Sequence, residues 1–145
     1  MTVQVEVADK VTAEVVEAFG RLLPQLSRSA PPLGADALDA IIGSPANTVL
    51  IARLAGVIAG TLTLVMFPLP SGLRAWIEDV VVDESARRQG IAEALTHEAL
   101  RHAREAGART VDLTSRPARV AAGGLYEKLG FTIRDTRVYR FTFSD

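Results

Sequence analysis

The stretch "VVVDESARRQGIA", residues 80–92, constrains the chain more than any other. Val80, Val81 and Val82 read as the buried end of a strand. The apolar run stops at Asp83-Glu84-Ser85. Arg87, Arg88 and Gly90 follow, and a helical pattern opens at Ile91. The first turn of a helix leaves backbone N–H groups without intrahelical partners and carries a partial positive charge. Gly90 lets a ligand approach that backbone, and Arg87 and Arg88 add formal charge. Together they suit an anion, with pyrophosphate as the natural guest. The competing reading is a solvated turn without a ligand. Neither G-x-x-x-x-G-K-[ST] nor G-x-G-x-x-G occurs, so those two phosphate-binding modes do not apply.

The chain has 145 residues, enough for one domain with a sizeable core, and it is read as one domain over residues 1–145. Its hydrophobic share of 48% suits a folded protein. A net charge of −1 argues against nucleic acid as a partner, because phosphate backbones need a basic excess. The absence of cysteine excludes disulfides, thiolate metal sites and a cysteine nucleophile, and fits a cytoplasmic location. The start, MTVQVEVADK, lacks the apolar core of a signal peptide. The longest apolar run, residues 57–70, is interrupted by glycine and proline, so no membrane span is expected.

Val3, Val5 and Val7 alternate with polar residues, as in a strand. Residues 11–26 place Val15, Ala18, Phe19, Leu22, Leu23 and Leu26 at helical spacing, with Thr12 as a cap. A Pro- and Gly-containing loop at 27–34 leads to a short helix at 35–42. Residues 48–54 and 57–67 form a hairpin about Ala55-Gly56, and 73–82 adds a third strand in a meander. Ala92, Leu95, Ala99, Ala103 and Ala106 line one face of the next helix, which Gly107 ends. A strand at 109–113 is expected parallel to 73–82. Pro117 opens a helix to Leu129, and strands from Phe131 and over 138–143 complete the sheet. Tyr139, Phe141 and Phe143 share a face there, readable either as core or as the surface of a homodimer.

Two acids interrupt the apolar strand Trp76-Ile77-Glu78-Asp79-Val80-Val81-Val82. Strict alternation puts Glu78 with Trp76, Val80 and Val82, and Asp79 with Ile77 and Val81. A carboxylate among apolar neighbours is unfavourable unless paired, and burial makes such a group hold its proton more tightly. That would suit a general base, although an ion pair or an exposed strand start explains the acids equally well. His97 and His102 read as solvated or edge residues, and no metal is expected.

Arg87-x-x-Gly90-x-Ala92 after a valine strand resembles motif A of the GCN5-related N-acetyltransferases, Q/R-x-x-G-x-G/A. Gly124-Leu-Tyr-Glu-Lys-Leu-Gly-Phe131 resembles the "LYEKLGF" helix end of many members, and the order of elements is also theirs. The resemblance implies a mixed α/β fold. Its single, mostly antiparallel sheet would have about seven strands and a parallel pair at the cofactor cleft, flanked by about four helices. It implies acetyl-CoA as cofactor. Main-chain groups at Val80, Val81 and Val82 would hold the pantetheine arm, and backbone N–H groups of Arg87, Arg88, Gln89, Gly90, Ile91 and Ala92 the pyrophosphate. Relatives that acetylate an amino sugar phosphate carry a similar "IED" segment, which makes Glu78 the implied base with Asp79 in reserve. The tyrosine of "LYEKLGF" implies Tyr126 as general acid to the departing thiolate. Arg119 replaces an asparagine common in the family.

These readings converge on acetyl transfer to a primary amine, on a small molecule or a peptide. The alternative is a non-catalytic acyl-CoA sensor on the same fold. The acceptor end is expected from the loop at 27–34 with Arg28, the turn at 68–72 and the strand end at Leu113.

Overall fold

Consecutive strands fold back on one another. β1 (Val3–Val7), β2 (Asn47–Leu54), β3 (Val57–Leu69) and β4 (Gly72–Val82) pair antiparallel in chain order. β5 (Val111–Asp112) joins β4 in parallel, giving the order β1-β2-β3-β4-β5. The β2–β3 hairpin closes through Ala55 and Gly56 at φ 52° and 81°. Two left-handed residues in a row match the twist of the flanking strands. Helices α1 (Ala13–Leu26), α2 (Ala35–Gly43) and α3 (Ile91–Ala106) complete this part, and α4 (Val120–Lys128) follows β5. Thr12 caps α1 by accepting the Val15 N–H at 3.2 Å.

The computed structural model describes residues 2–144, which divide into two compact units, one running to Thr114 and one from Ser115. In the first unit both faces of the sheet are covered. Val49, Ile51, Ile58 and Val81 pack with Val15, Ala18, Phe19 and Leu22 of α1 and Leu38 of α2. Alternation sends Leu50, Leu62, Leu64 and Ile77 to the opposite face, where α3 lies with Ile91, Leu95, Ala99 and Ala103 buried. Each large aliphatic side chain buried there contributes about 1.5–3 kcal/mol.

Gly60 sets how closely α3 approaches. A Cβ at that position would lie 2.8 Å from Ile91 Cγ2, 3.2 Å from the Val81 carbonyl oxygen and 3.3 Å from Leu95 Cδ1. Only a residue without a side chain lets the first turn of α3 rest against β3 beside the end of β4.

The strand count departs from expectation. Five strands pair among the described residues rather than about seven. β5 spans two residues, paired only as Ala75 with Val111 and Trp76 with Asp112. Residues 131–144 form no strand, and Tyr139, Phe141 and Phe143 are exposed by 87%, 81% and 87%. Period-two patterning states which side chains share a face but supplies no partner strand, and a strand exists only as half of a ladder. In the second unit α4 ends at Gly130, φ 103°, where the Phe131 N–H reaches back to the Tyr126 carbonyl at 3.0 Å. Among the described residues no helix is long and apolar enough to cross a membrane.

Gly60→Ala is expected to destabilise the protein by about 1–3 kcal/mol, the usual range for overpacking. Urea unfolding should show a lower midpoint at unchanged slope. An unaltered midpoint would mean that α3 does not rest on β3 as closely as described.

Candidate active site

β4 is not a regular strand. Thr63 stands opposite Glu78 and Thr61 opposite Val81, so three steps on β4 match two on β3. The extra residue lies at a bulge where Asp79 takes a left-handed conformation, φ 49°. The bulge turns over the faces beyond it. Ile77 lies opposite Leu64 on the α3 side, whereas Val81 joins the core cluster on the α1–α2 side. Glu78 therefore shares its face with Trp76, Thr63 and Val81, and not with Val80 and Val82 as alternation predicts. Asp79 is freed from the Ile77 face and lines a cavity with Thr61 and Thr63. Both carboxylates are exposed, so the apolar burial expected of acids in this strand is not found.

The bulge also marks where β4 parts from β5. Their ladder stops at Trp76 and Asp112, and residues 77–82 pair only with β3. Asp83 N–H closes that pairing on the Ala59 carbonyl at 2.8 Å. A short 3₁₀ turn, Glu84–Ala86, then leads to the exposed Arg87, Arg88, Gln89 and Gly90. Arg88 and Gly90 are left-handed at φ 64° and 80°. Gly90 stands at the N-cap of α3, where no side chain caps the helix. The first helical bond runs from Ala94 N–H to Gly90 C=O at 3.0 Å, beyond the amides of Ile91 and Ala92. A Cβ on Gly90 would meet nothing within 4 Å, so the space beside this glycine is open. All the residues expected to hold the cofactor, from Val80 to Ala92, thus fall on one continuous strand–turn–helix path. They offer a bare strand edge followed by a helix N-terminus, and this fits an extended arm that ends in phosphates.

Helix α1 holds the start of that turn. Arg21 Nη1 donates to Asp83 Oδ2 at 2.6 Å, and Arg21 Nη2 to the Ile58 carbonyl at 3.1 Å. Gln25 Oε1 accepts the Glu84 N–H at 2.8 Å, while Asp83 Oδ1 accepts from the Ser85 amide and hydroxyl at 3.2 and 3.0 Å. Burial pushes the Asp83 carboxyl up, but the Ser85 amide and the Arg21 guanidinium outweigh it and hold the group below its ordinary value of 3.8. Neither Arg21 nor Gln25 stands out in the sequence. Their partners are 62 and 59 residues away, and no local pattern announces a contact of that range.

A cavity of about 220 Å³ opens on the α1–α2 side of the sheet. Phe19 and Leu23 of α1, Ala30, Pro31 and Leu33 of the following loop, and Leu38 and Ile41 of α2 form its apolar wall. Val49, Thr61, Thr63 and Asp79 form its floor. The loop at 27–34 contributes Ala30, Pro31 and Leu33 to this lining. Arg28, the turn at 68–72 and Leu113 do not line this space.

In the second unit Tyr126 lies half-buried on α4, edge-to-face with Phe131 at 5.6 Å between ring centroids. Burial pushes its phenol up, and Arg119, the N-cap residue of α4, opposes that only in part. The Tyr126 phenol therefore keeps its proton at neutral pH.

The family model of the acetyltransferase (GNAT) family matches residues 14–131. The chain belongs to the GNAT family. Its members are acetyltransferases that use acetyl-CoA, and this chain is an N-acetyltransferase of that family. Solved structures share the fold across nearly the whole chain. A transcriptional regulator from Bacillus halodurans C-125 is 27% identical, with TM-score 0.80, covering 98% of this chain and 100% of that one. An aminoglycoside acetyltransferase from an uncultured soil metagenomic sample, in complex with trehalose, is 19% identical with TM-score 0.86, covering 99% and 97%. AAC(6')-Iy, in complex with the bisubstrate analogue CoA-S-monomethyl-acetylneamine, is 18% identical with TM-score 0.82, covering 99% and 100%. No curated protein matches the chain at a significant level.

The Arg21–Asp83 pair of this GNAT chain gives a pH-dependent prediction. A carboxylate held below its ordinary value contributes stability in full above the unfolded pKa and loses it as pH falls through the folded one. Asp83→Asn should therefore lower stability by about 1 kcal/mol at pH 7. The difference from wild type should shrink as pH falls below 3.8, followed by thermal unfolding across that range. A difference independent of pH would assign the effect to packing instead.

Proposed function

We propose that this protein moves an acetyl group from acetyl-CoA directly to a primary amine. The observation that carries the reading is the β4 edge over residues 77–82, unpaired by β5 and running into the uncapped N-terminus of α3. Val80, Val81 and Val82 present main-chain groups along that edge. Arg87, Arg88, Gln89, Gly90, Ile91 and Ala92 present backbone N–H groups at its end, toward phosphates. Acetyl-CoA, when bound, supplies an acyl group activated as a thioester. The chain has no cysteine, so a cysteine acyl-enzyme is ruled out and attack by the amine itself is the simplest course.

Glu78 takes the amine proton through water, with Asp79 as the reserve for that role. Its exposure leaves room for the water. Tyr126 keeps its phenolic proton at neutral pH, as a donor to the leaving sulfur must. A backbone N–H near Val82 serves the carbonyl oxygen. The rival reading, an acyl-CoA sensor without turnover, draws support from the likeness to a transcriptional regulator. A pure binder, however, needs neither Glu78 nor Tyr126.

Thiol release from acetyl-CoA across a panel of primary amines, beside calorimetric titration of acetyl-CoA, separates the two readings. Glu78→Gln and Tyr126→Phe should each lower kcat by about a hundredfold or more while leaving acetyl-CoA affinity within twofold. Acetyl-CoA binding with no turnover on any amine would favour the sensor. Full activity in either variant would remove that residue from its role.

A further inference from the structure

The cavity beside the bulge has a one-sided chemistry. Its walls are hydrocarbon, and Asp79 is the one charged residue that lines it. Two threonines add the only other polar side chains. The Thr61 hydroxyl already donates to the Leu50 carbonyl at 2.8 Å, so only its lone pairs remain. Apart from the Thr63 hydroxyl, the polar side-chain atoms in this space accept hydrogen bonds and do not donate them. Such a lining satisfies a group that only donates, and an ammonium is that group. It does not satisfy a polyhydroxylated body, whose hydroxyls would leave water for apolar walls without partners.

Size narrows the guest further. A cavity of about 150 Å³ lined by aliphatic and aromatic side chains takes one benzene. The 220 Å³ here holds a single ring or a branched chain with a short amine arm. The backbone adds a second observation. Asp79 is a non-glycine residue held at φ 49°, a conformation in which aspartate and asparagine are the best-tolerated side chains after glycine. That conformation takes Asp79 out of the Ile77 face, and the residue lines the cavity.

We infer that this cavity is the acceptor subsite, and that the acceptor is a primary amine on a compact apolar body, with its ammonium held by Asp79. The inference rests on the acetyl-transfer reading and narrows it. It separates this chain from the aminoglycoside acetyltransferases whose fold it shares, because their acceptors are polyhydroxylated. Asp79 is thereby a specificity residue that touches the acceptor, whichever carboxylate takes the proton.

Two probes and two variants test it. 2-Phenylethylamine represents the apolar amine and glucosamine the polyhydroxylated one. Asp79→Asn keeps a side chain suited to the left-handed backbone and removes only the charge. Ala30→Trp, in an exposed loop, fills the cavity from its wall without changing any residue of the sheet. The wild type should use 2-phenylethylamine with kcat/KM on the order of tenfold above glucosamine. Asp79→Asn should raise KM for 2-phenylethylamine on the order of tenfold, and Ala30→Trp should weaken its binding at least as much. Neither change should move acetyl-CoA affinity. Calorimetric titration of 2-phenylethylamine into protein, free and loaded with CoA, reads the cavity even without turnover. Binding that Ala30→Trp abolishes, in a protein that does not bind acetyl-CoA, would support the cavity and sink the acetyl-transfer reading. Equal use of glucosamine, or 2-phenylethylamine binding unchanged in Ala30→Trp, would overturn the inference.

Discussion

The bulge at Asp79 inserts one residue of β4 opposite Leu62, and the rest of the site depends on that insertion. Upstream of it, Ile77 serves the α3 side of the core. Downstream, Val81 serves the α1–α2 side. A strand can change sides without leaving its ladder only by adding a residue, because side chains alternate with a period of two. The parallel pairing with β5 also stops just before the bulge, after Trp76 and Asp112. A strand edge that β5 leaves unpaired and an acidic residue lining the space beside it thus lie at one backbone irregularity.

The second determinant is proximity. α3 can place its first turn at the end of β4 because Gly60 has no side chain to hold Ile91 and Leu95 away. The helix N-terminus then carries its partial charge where the strand edge runs out. On the other side of the sheet, α1 does two jobs. Phe19 and Leu23, four residues apart, wall the cavity. Arg21 and Gln25, also four apart, fasten the turn that precedes Arg87. A displacement of α1 would therefore be felt at both the cavity wall and the turn that leads to α3.

Much of this was legible in the residues. The Thr12 cap, the Ala55-Gly56 hairpin and the Gly107 stop are local devices, and each formed where its chemistry stood in the chain. The path from Val80 to Ala92 was legible for the same reason, since strand, turn and helix start are contiguous. The bulge was not. Asp79 looks like any other alternating position, and its left-handed backbone shows only in the ladder with β3. Faces assigned by strict alternation were therefore right up to Glu78 and inverted beyond it. The strands expected after Phe131 failed on a related point, since their alternation was real but no partner was written into it. The Arg21–Asp83 pair lay out of reach because its members are 62 residues apart, as did the helix and sheet residues that meet the loop at 27–34 around the cavity.

The sequence by itself determined the elements of the first unit, the meander order, the family and the contiguous strand–turn–helix path from Val80 to Ala92. These follow from periodicity, caps and a contiguous motif, all of which act over a few residues. The tertiary structure alone decided which face each acid of β4 occupies, how near α3 comes to β3, and which residues line the cavity with Asp79. Those outcomes depend on ladder register and on contacts between distant segments, such as Gly60 with Ile91 and Arg21 with Asp83, and no local pattern encodes them.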